Sequence, residues 1–238
     1  MGFKEILTER GQAAGLTFNA SQLEQFNIYY ELLVETNKQM NLTALTSPED
    51  VAVKHVIDSL LAFEAGIFEG KTLLDVGSGA GFPGIPLKIY CPSLQVVLLD
   101  SLAKRLKFLE TVLEALQLKD ITCVHARAED AGQDKKFRGR FDLVTARAVA
   151  KLSVLAELCL PFVKTGGVFI ALKGSKYLEE LEESRKALSI LGGQLVKADP
   201  VVLPGLDDGR AIIRIKKIKA TPDVYPRKAG VPAKKPIQ

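Results

Sequence analysis

The stretch LLDVGSGAGFPGIPLKI, Leu73 to Ile89, constrains this chain more than any other. A short apolar run carrying one acid, Asp75, opens into a loop where Gly79-Ala80-Gly81-Phe82-Pro83-Gly84 satisfies G-x-G-x-x-G. Strand, tight glycine turn and helix in that order form the first unit of a doubly wound α/β sheet, one that lets a nucleotide-like ligand touch bare backbone. The pattern alone leaves nicotinamide cofactors and other nucleotides equally open.

Asp75 separates them. A pyrophosphate is anionic and prefers bare helix N-terminal amides. A carboxylate two residues before Gly77 repels it but favours a cationic ligand. S-adenosylmethionine presents a sulfonium and an ammonium near such a loop, and Pro83 and Pro86 lack the N–H donors that a diphosphate site uses. Gly77, Gly79 and Phe82 then belong to the cradle. The second strand ends in Asp100, followed by Ser101 and Leu102. An acid there suits the two hydroxyls of an adenosine ribose, or caps the following helix. After the third strand, Ala128 and Glu129 are placed for the adenine edge, with a plain surface charge as the alternative for Glu129.

The rest of the chain agrees with a doubly wound fold. Residues 1–70 read as a helical extension. Ser21 and Glu24 form a capping box, and Leu23, Phe26, Tyr30, Leu33 and Val34 share a face. Ser47-Pro48 starts a second helix whose stripe is Val53, Val56, Ile57, Leu60 and Leu61. From 71 to 220, apolar runs at 72–76, 95–100, 121–125, 141–145 and 167–172 alternate with helical patterns, as buried parallel strands do. Runs at 194–203 and 211–218 are joined only by PGLDDG and Arg210, too short for a crossover, so they pair antiparallel. A mostly parallel, seven-stranded α/β sheet ending in such a hairpin is the arrangement of class I S-adenosylmethionine-dependent methyltransferases.

Charge is uneven. The net charge is +4, but residues 214–238 hold eight basic residues against one acid, a balance of +7, leaving −3 for the body. Residues 221–238 read as a basic tail that suggests a polyanionic partner, or simply a solvated end. No apolar run of 18 residues or secretory signal pattern occurs, so a membrane span is not expected and a cytoplasmic location is. Cys91, Cys123 and Cys159 lie far apart, and only His55 and His125 are present, so neither a disulfide framework nor a metal site is expected.

With these marks in hand, the chain resembles the bacterial small-subunit ribosomal RNA guanine-N7 methyltransferases, the RsmG or glucose-inhibited division protein B family. The resemblance rests on NLTA at 41–44, HVIDSL at 55–60, the glycine loop, AED at 128–130, TARAVA at 145–150 and YPRKAGVPAKKPI at 225–237. It implies methyl transfer from S-adenosylmethionine to N7 of a guanine in 16S ribosomal RNA, on the RNA or a 30S particle; the chain itself is expected to act as a monomer without a metal. It carries Gly77, Phe82, Asp100–Leu102, Ala128, Glu129 and Arg147 over as cofactor contacts, and makes His55, Asp58 and Ser59 candidates for the same cleft.

The chemistry fits. After the fourth strand, many exocyclic-amine methyltransferases carry an Asn/Asp-Pro-Pro-aromatic segment that accepts from the amine; here the position reads TARAVA. No cysteine stands at that position for a covalent pyrimidine mechanism. Guanine N7 has an in-plane lone pair and loses no proton, so no catalytic base is needed, only alignment. Arg147 could hold the methionine carboxylate or fork to guanine O6; the resemblance favours the cofactor side. Lys173, at the carboxyl edge of the sheet, and Arg227, Lys228, Lys234 and Lys235 are expected RNA phosphate contacts. A nicotinamide-dependent oxidoreductase and a non-catalytic RNA-binding factor are the competing readings.

Overall fold

The computed structural model describes residues 1–147, 150–206 and 208–237. Part of TARAVA (148 and 149), one residue of PGLDDG (207) and the last residue of the tail (238) lie outside the described residues. The chain starts with α1 (Phe3–Ala13) and α2 (Ala20–Asn37). The capping box of α2 is made by Asn19 and Gln22, not by Ser21 and Glu24, because the Asn19 side chain accepts the Gln22 N–H while the Gln22 side-chain oxygen accepts the Asn19 N–H. Its buried face is Phe26, Tyr29 and Leu33; Tyr29, one position before the Tyr30 that periodicity chose, is the one that enters the core.

A second helical run begins as expected at Ser47-Pro48, where the Ser47 hydroxyl accepts the Asp50 N–H. It passes through α3 (Pro48–Asp50), a π-wound segment (Val51–Ile57) and α4 (Asp58–Leu60). The wider winding was not legible in the spacing. π-turns inside helices are often found at functional sites, and this one carries Lys54 and His55 and leads into Asp58.

Strands and helices then alternate: β1 (Thr72–Val76), α5 (Gly84–Tyr90), β2 (Gln95–Asp100), α6 (Ala103–Ala115), β3 (Ile121–His125), α7 (Ala128–Ala131), β4 (Phe141–Arg147), α8 (Leu152–Cys159), β5 (Val163–Lys173), α9 (Tyr177–Leu191), β6 (Gly193–Val201) and β7 (Arg210–Lys217). The seven strands lie in the order β3-β2-β1-β4-β5-β7-β6. The first five run parallel, while β7 lies antiparallel to both β5 and β6. The expected parallel sheet with a terminal antiparallel hairpin is therefore what forms. The order reverses between β1 and β4, and the carboxyl ends flanking that reversal are where such sheets bind ligands.

Each face of the sheet is covered. On one side Leu73 and Leu98 pack with Phe26, Leu33, Ile57 and Leu109, so the N-terminal helices share this core. On the other, Val76, Val144 and Phe169 pack with Leu155, Leu188 and Leu191. Among the described residues, no helix is long and apolar enough to cross a membrane.

The C-terminal segment corrects the reading of a loose tail. It contains α10 (Val231–Lys234), buries Pro226, Pro232 and Ile237, and lies as a strap over the α7–α8 side. Arg138 anchors its start, donating to the carbonyls of Thr221, Pro222 and Tyr225, and Gln133 donates to those of Asp223 and Pro226. Prolines and lysines misled the sequence reading because the strap is held mainly by its backbone carbonyls and by a few buried side chains rather than by an apolar stripe.

Candidate active site

The glycine loop folds as the sequence requires. Gly77, Gly79 and Gly81 adopt positive φ of 72°, 60° and 101°, a region that disfavours side chains. At Gly84 a Cβ would lie 2.5 Å from Leu98 and 2.9 Å from Asp75, so the helix can approach β1 and β2 only with glycine there. At Gly79 a Cβ would meet nothing nearer than the Gly77 carbonyl at 3.8 Å, which leaves the loop surface open for a ligand.

Asp75, expected to face the cofactor, is fully buried behind the loop. It accepts the Gly84 N–H at 3.1 Å and the Thr145 hydroxyl at 3.3 Å. Burial pushes its carboxyl up to about 6. Its contribution to a ligand is therefore a charge behind the loop and the posture of the loop itself, not a direct contact. The amides a pyrophosphate would need are occupied: Gly79 N–H donates to Asp100 at 2.9 Å, Gly84 N–H to Asp75, and Pro83 has none.

A cleft of about 450 Å³ lies over this loop, lined among others by Gly77, Gly79, Phe82, Asp100, Ser101 and Arg147. Asp100 serves both expectations for it. Its two oxygens accept from Gly79 and Leu102, both at 2.9 Å, and it still borders the cleft with spare lone pairs. Leu102 stands beside it, 51% exposed. Ala128 and Glu129 open α7 after β3, both half-buried, but they do not line this cleft; one Glu129 oxygen accepts the Gly230 N–H of the strap at 2.9 Å.

A second cleft, of about 410 Å³, adjoins the first and shares His55 and Arg147 with it. These two side chains and Phe82 make the party wall. His55 stacks on Phe82 with centroids 4.5 Å apart, the Arg147 guanidinium lies 5.0 Å over the same ring, and Tyr29 stacks at 5.2 Å. Arg147 donates to Asp58 Oδ2 at 3.0 Å, to the Lys54 carbonyl at 3.1 Å and toward His55 Nδ1 at 3.2 Å. Nδ1 also lies 3.2 Å from the Lys54 carbonyl, and Nε2 faces Thr43 Oγ1 at 2.8 Å, so both ring nitrogens are engaged. Burial, with Arg147 adding to it, holds His55 down to about 3, so it is neutral.

Asp58 also takes Arg210 through Oδ1, at 3.0 Å. Both of its oxygens are thus committed to arginine. Ser59 does not join the cleft: it is fully buried and its hydroxyl donates to the His55 carbonyl within the helix. Two expected RNA contacts are likewise engaged elsewhere. Lys173 borders the second cleft but is paired with Glu180 at 2.7 Å and donates to the Ala150 carbonyl, with its side chain only 7% exposed. Arg227 forks onto the buried Glu157 carboxylate, with bonds of 2.5 and 2.8 Å. Lys228, Lys234 and Lys235 stay exposed on the strap.

Sequence reading missed Thr43, Lys54, Arg105 and Arg210 as cleft residues. Thr43 stood inside the NLTA mark and Arg210 beside the hairpin link, but only the fold brings them to the His55–Arg147 wall. Among the described residues, no group of three or more His, Cys, Asp or Glu side chains is arranged to hold a metal ion.

The sheet order, terminal hairpin and loop-bound cleft define a class I S-adenosylmethionine-dependent methyltransferase fold. Fibrillarin from Aeropyrum pernix, solved with natively bound S-adenosyl-L-methionine, superposes on it with a TM-score of 0.53 at 17% identity, over 66% of this chain and 72% of that one. A family model described as rRNA small subunit methyltransferase G matches residues 22–202, and the chain belongs to that family. The ribosomal RNA small subunit methyltransferase G of Lactobacillus acidophilus is 54% identical, over 91% of each chain. That of Alkaliphilus metalliredigens is 48% identical over the full length of both.

Proposed function

We propose that this protein transfers a methyl group from S-adenosylmethionine to N7 of a guanine in 16S ribosomal RNA, on the RNA or on a 30S particle, acting as a cytoplasmic monomer without a metal. The cofactor lies over the glycine loop and the guanine enters the neighbouring cleft, so that the reacting atoms meet at the His55–Arg147 wall. One observation carries this reading: the ionisable side chains around the second cleft are already paired. His55 is neutral and bonded at both nitrogens, Asp58 is held by Arg147 and Arg210, Asp208 by Arg210, and Lys173 by Glu180. A site built this way takes no proton from its substrate, which suits a ring nitrogen with a free lone pair.

S-adenosylmethionine supplies an electrophilic methyl group. The N7 lone pair forms the new N–C bond as the carbon–sulfur bond breaks, its electron pair returning to sulfur and the positive charge passing to the guanine. The chain's own residues orient and exclude water. Arg147 fixes the wall and meets the carboxylate end of the cofactor, Asp100 accepts from ribose hydroxyls, and Glu129 retains one oxygen for the adenine amine. Apolar Leu45, Leu172 and Ile212 at the second cleft offer the base a dry surface. Exposed Lys228, Lys234 and Lys235 meet RNA phosphates.

Titration calorimetry with S-adenosylmethionine and with NADH tests the cofactor half. Binding of the first alone is expected; binding of NADH instead would return the site to an oxidoreductase.

A further inference from the structure

The C-terminal strap does more than cover the α7–α8 side. From its geometry we infer that the strap is a positioning device for Glu129, fastened by the Arg227–Glu157 clamp, and that it ties the RNA-facing lysines to the adenine end of the cofactor site. The inference rests on the reading of Glu129 as the adenine acceptor.

Glu157, on α8, is fully buried, and Arg227 answers it with its backbone N–H and with a two-pronged guanidinium. A buried carboxylate left without its partner is costly, so the clamp fixes the strap in one place. Three residues on, Gly230 turns with φ of 79° and sends its N–H to Glu129 Oε1 at 2.9 Å. The bond sets the carboxylate's rotamer through Oε1, Oε2 having no hydrogen-bond partner among the described residues, and a carboxylate held this way loses less freedom on meeting an adenine amine. Pro226 closes the other side of α7, since even a Cβ on Gly132 would come within 2.7 Å of its ring. Lys228, Lys234 and Lys235 stand on the same strap within five residues of Gly230. RNA that engages these lysines steadies the strap and hence Glu129, so RNA and cofactor each favour binding of the other.

A double-mutant cycle read by calorimetric S-adenosylmethionine affinity tests this. Arg227→Ala is expected to weaken binding roughly fivefold, the size of one positioning bond, and to have no further effect in a Glu129→Ala background. Arg227→Lys keeps a charge for Glu157 but not the fork; it should fall between, and it serves if the alanine variant does not fold. Equal weakening in both backgrounds, or no weakening in either, overturns the inference. If Glu129→Ala itself leaves affinity unchanged, the adenine role of Glu129 falls, and the inference with it.

Discussion

Arg147 and Asp58 meet at 3.0 Å on the wall between the two clefts, with side chains only 14% and 4% exposed. Asp58 also holds Arg210, so one carboxylate fixes both arginines. Removing it takes the carboxylate from Arg147 and leaves Arg210 with Asp208 alone. Asp58→Ala is expected to lower stability by about 3 kcal/mol, read as a shift of the urea midpoint with unchanged slope. Methyl transfer should fall even where the variant is fully folded, because Arg147 no longer keeps its place over Phe82.

Asp75 predicts a pH dependence of cofactor binding. Its carboxyl, raised by burial from 3.8 to about 6, becomes charged only above that value. A cationic ligand in front of the loop favours the charged form, so affinity for S-adenosylmethionine should be full above pH 7 and weaken as pH falls through 6, by up to about tenfold per unit. Asp75→Asn should bind weakly and without that slope. Folding stability slopes the other way for this group: its contribution is full below 3.8 and lost as pH rises through 6.

His55 predicts a separate limb in stability. Its folded value of about 3 lies below the ordinary 6.5. Between these values the unfolded chain binds a proton that the folded one refuses. Stability is therefore intact above 6.5 and lost as pH falls toward 3, by at most about 1.4 kcal/mol per unit. Urea midpoints at pH 7 and pH 5 should diverge for the parent chain and draw together in His55→Gln.

The cationic residues sort into two classes that a salt titration can separate. Alanine at Lys228, Lys234 and Lys235 together should weaken RNA binding and reduce its salt slope by about 0.7 for each phosphate of single-stranded RNA that is no longer neutralised. Lys173→Ala should leave that slope unchanged and lower stability instead, since Lys173 is sealed against Glu180.

Much of this was legible because it is local. The glycine loop, the strand–helix alternation and the short link before Arg210 are patterns within a few residues, and they dictate backbone geometry directly. Thr72–Val76, Gln95–Asp100 and Ile121–His125 emerge with the predicted bounds for the same reason. What stayed hidden depends on partners far apart in the chain. Arg227 looked like a free RNA contact because Glu157 lies 70 residues away. Asp75 looked like a ligand contact because its spacing says nothing of depth. The π-winding of Val51–Ile57 escaped because an apolar stripe at helical spacing does not reveal which turn of the helix is widened.

The central claim is methyl transfer to a guanine ring nitrogen with no base in the site. It is tested most directly by incubating the protein with labelled S-adenosylmethionine and 16S RNA or 30S particles from cells lacking this gene, then mapping N7-methylguanine by reduction and strand cleavage. Label at a single guanine N7, absent from RNA of wild-type cells already modified there, is the predicted result. Label at an exocyclic amine or a pyrimidine carbon, or no transfer to either substrate, would contradict it.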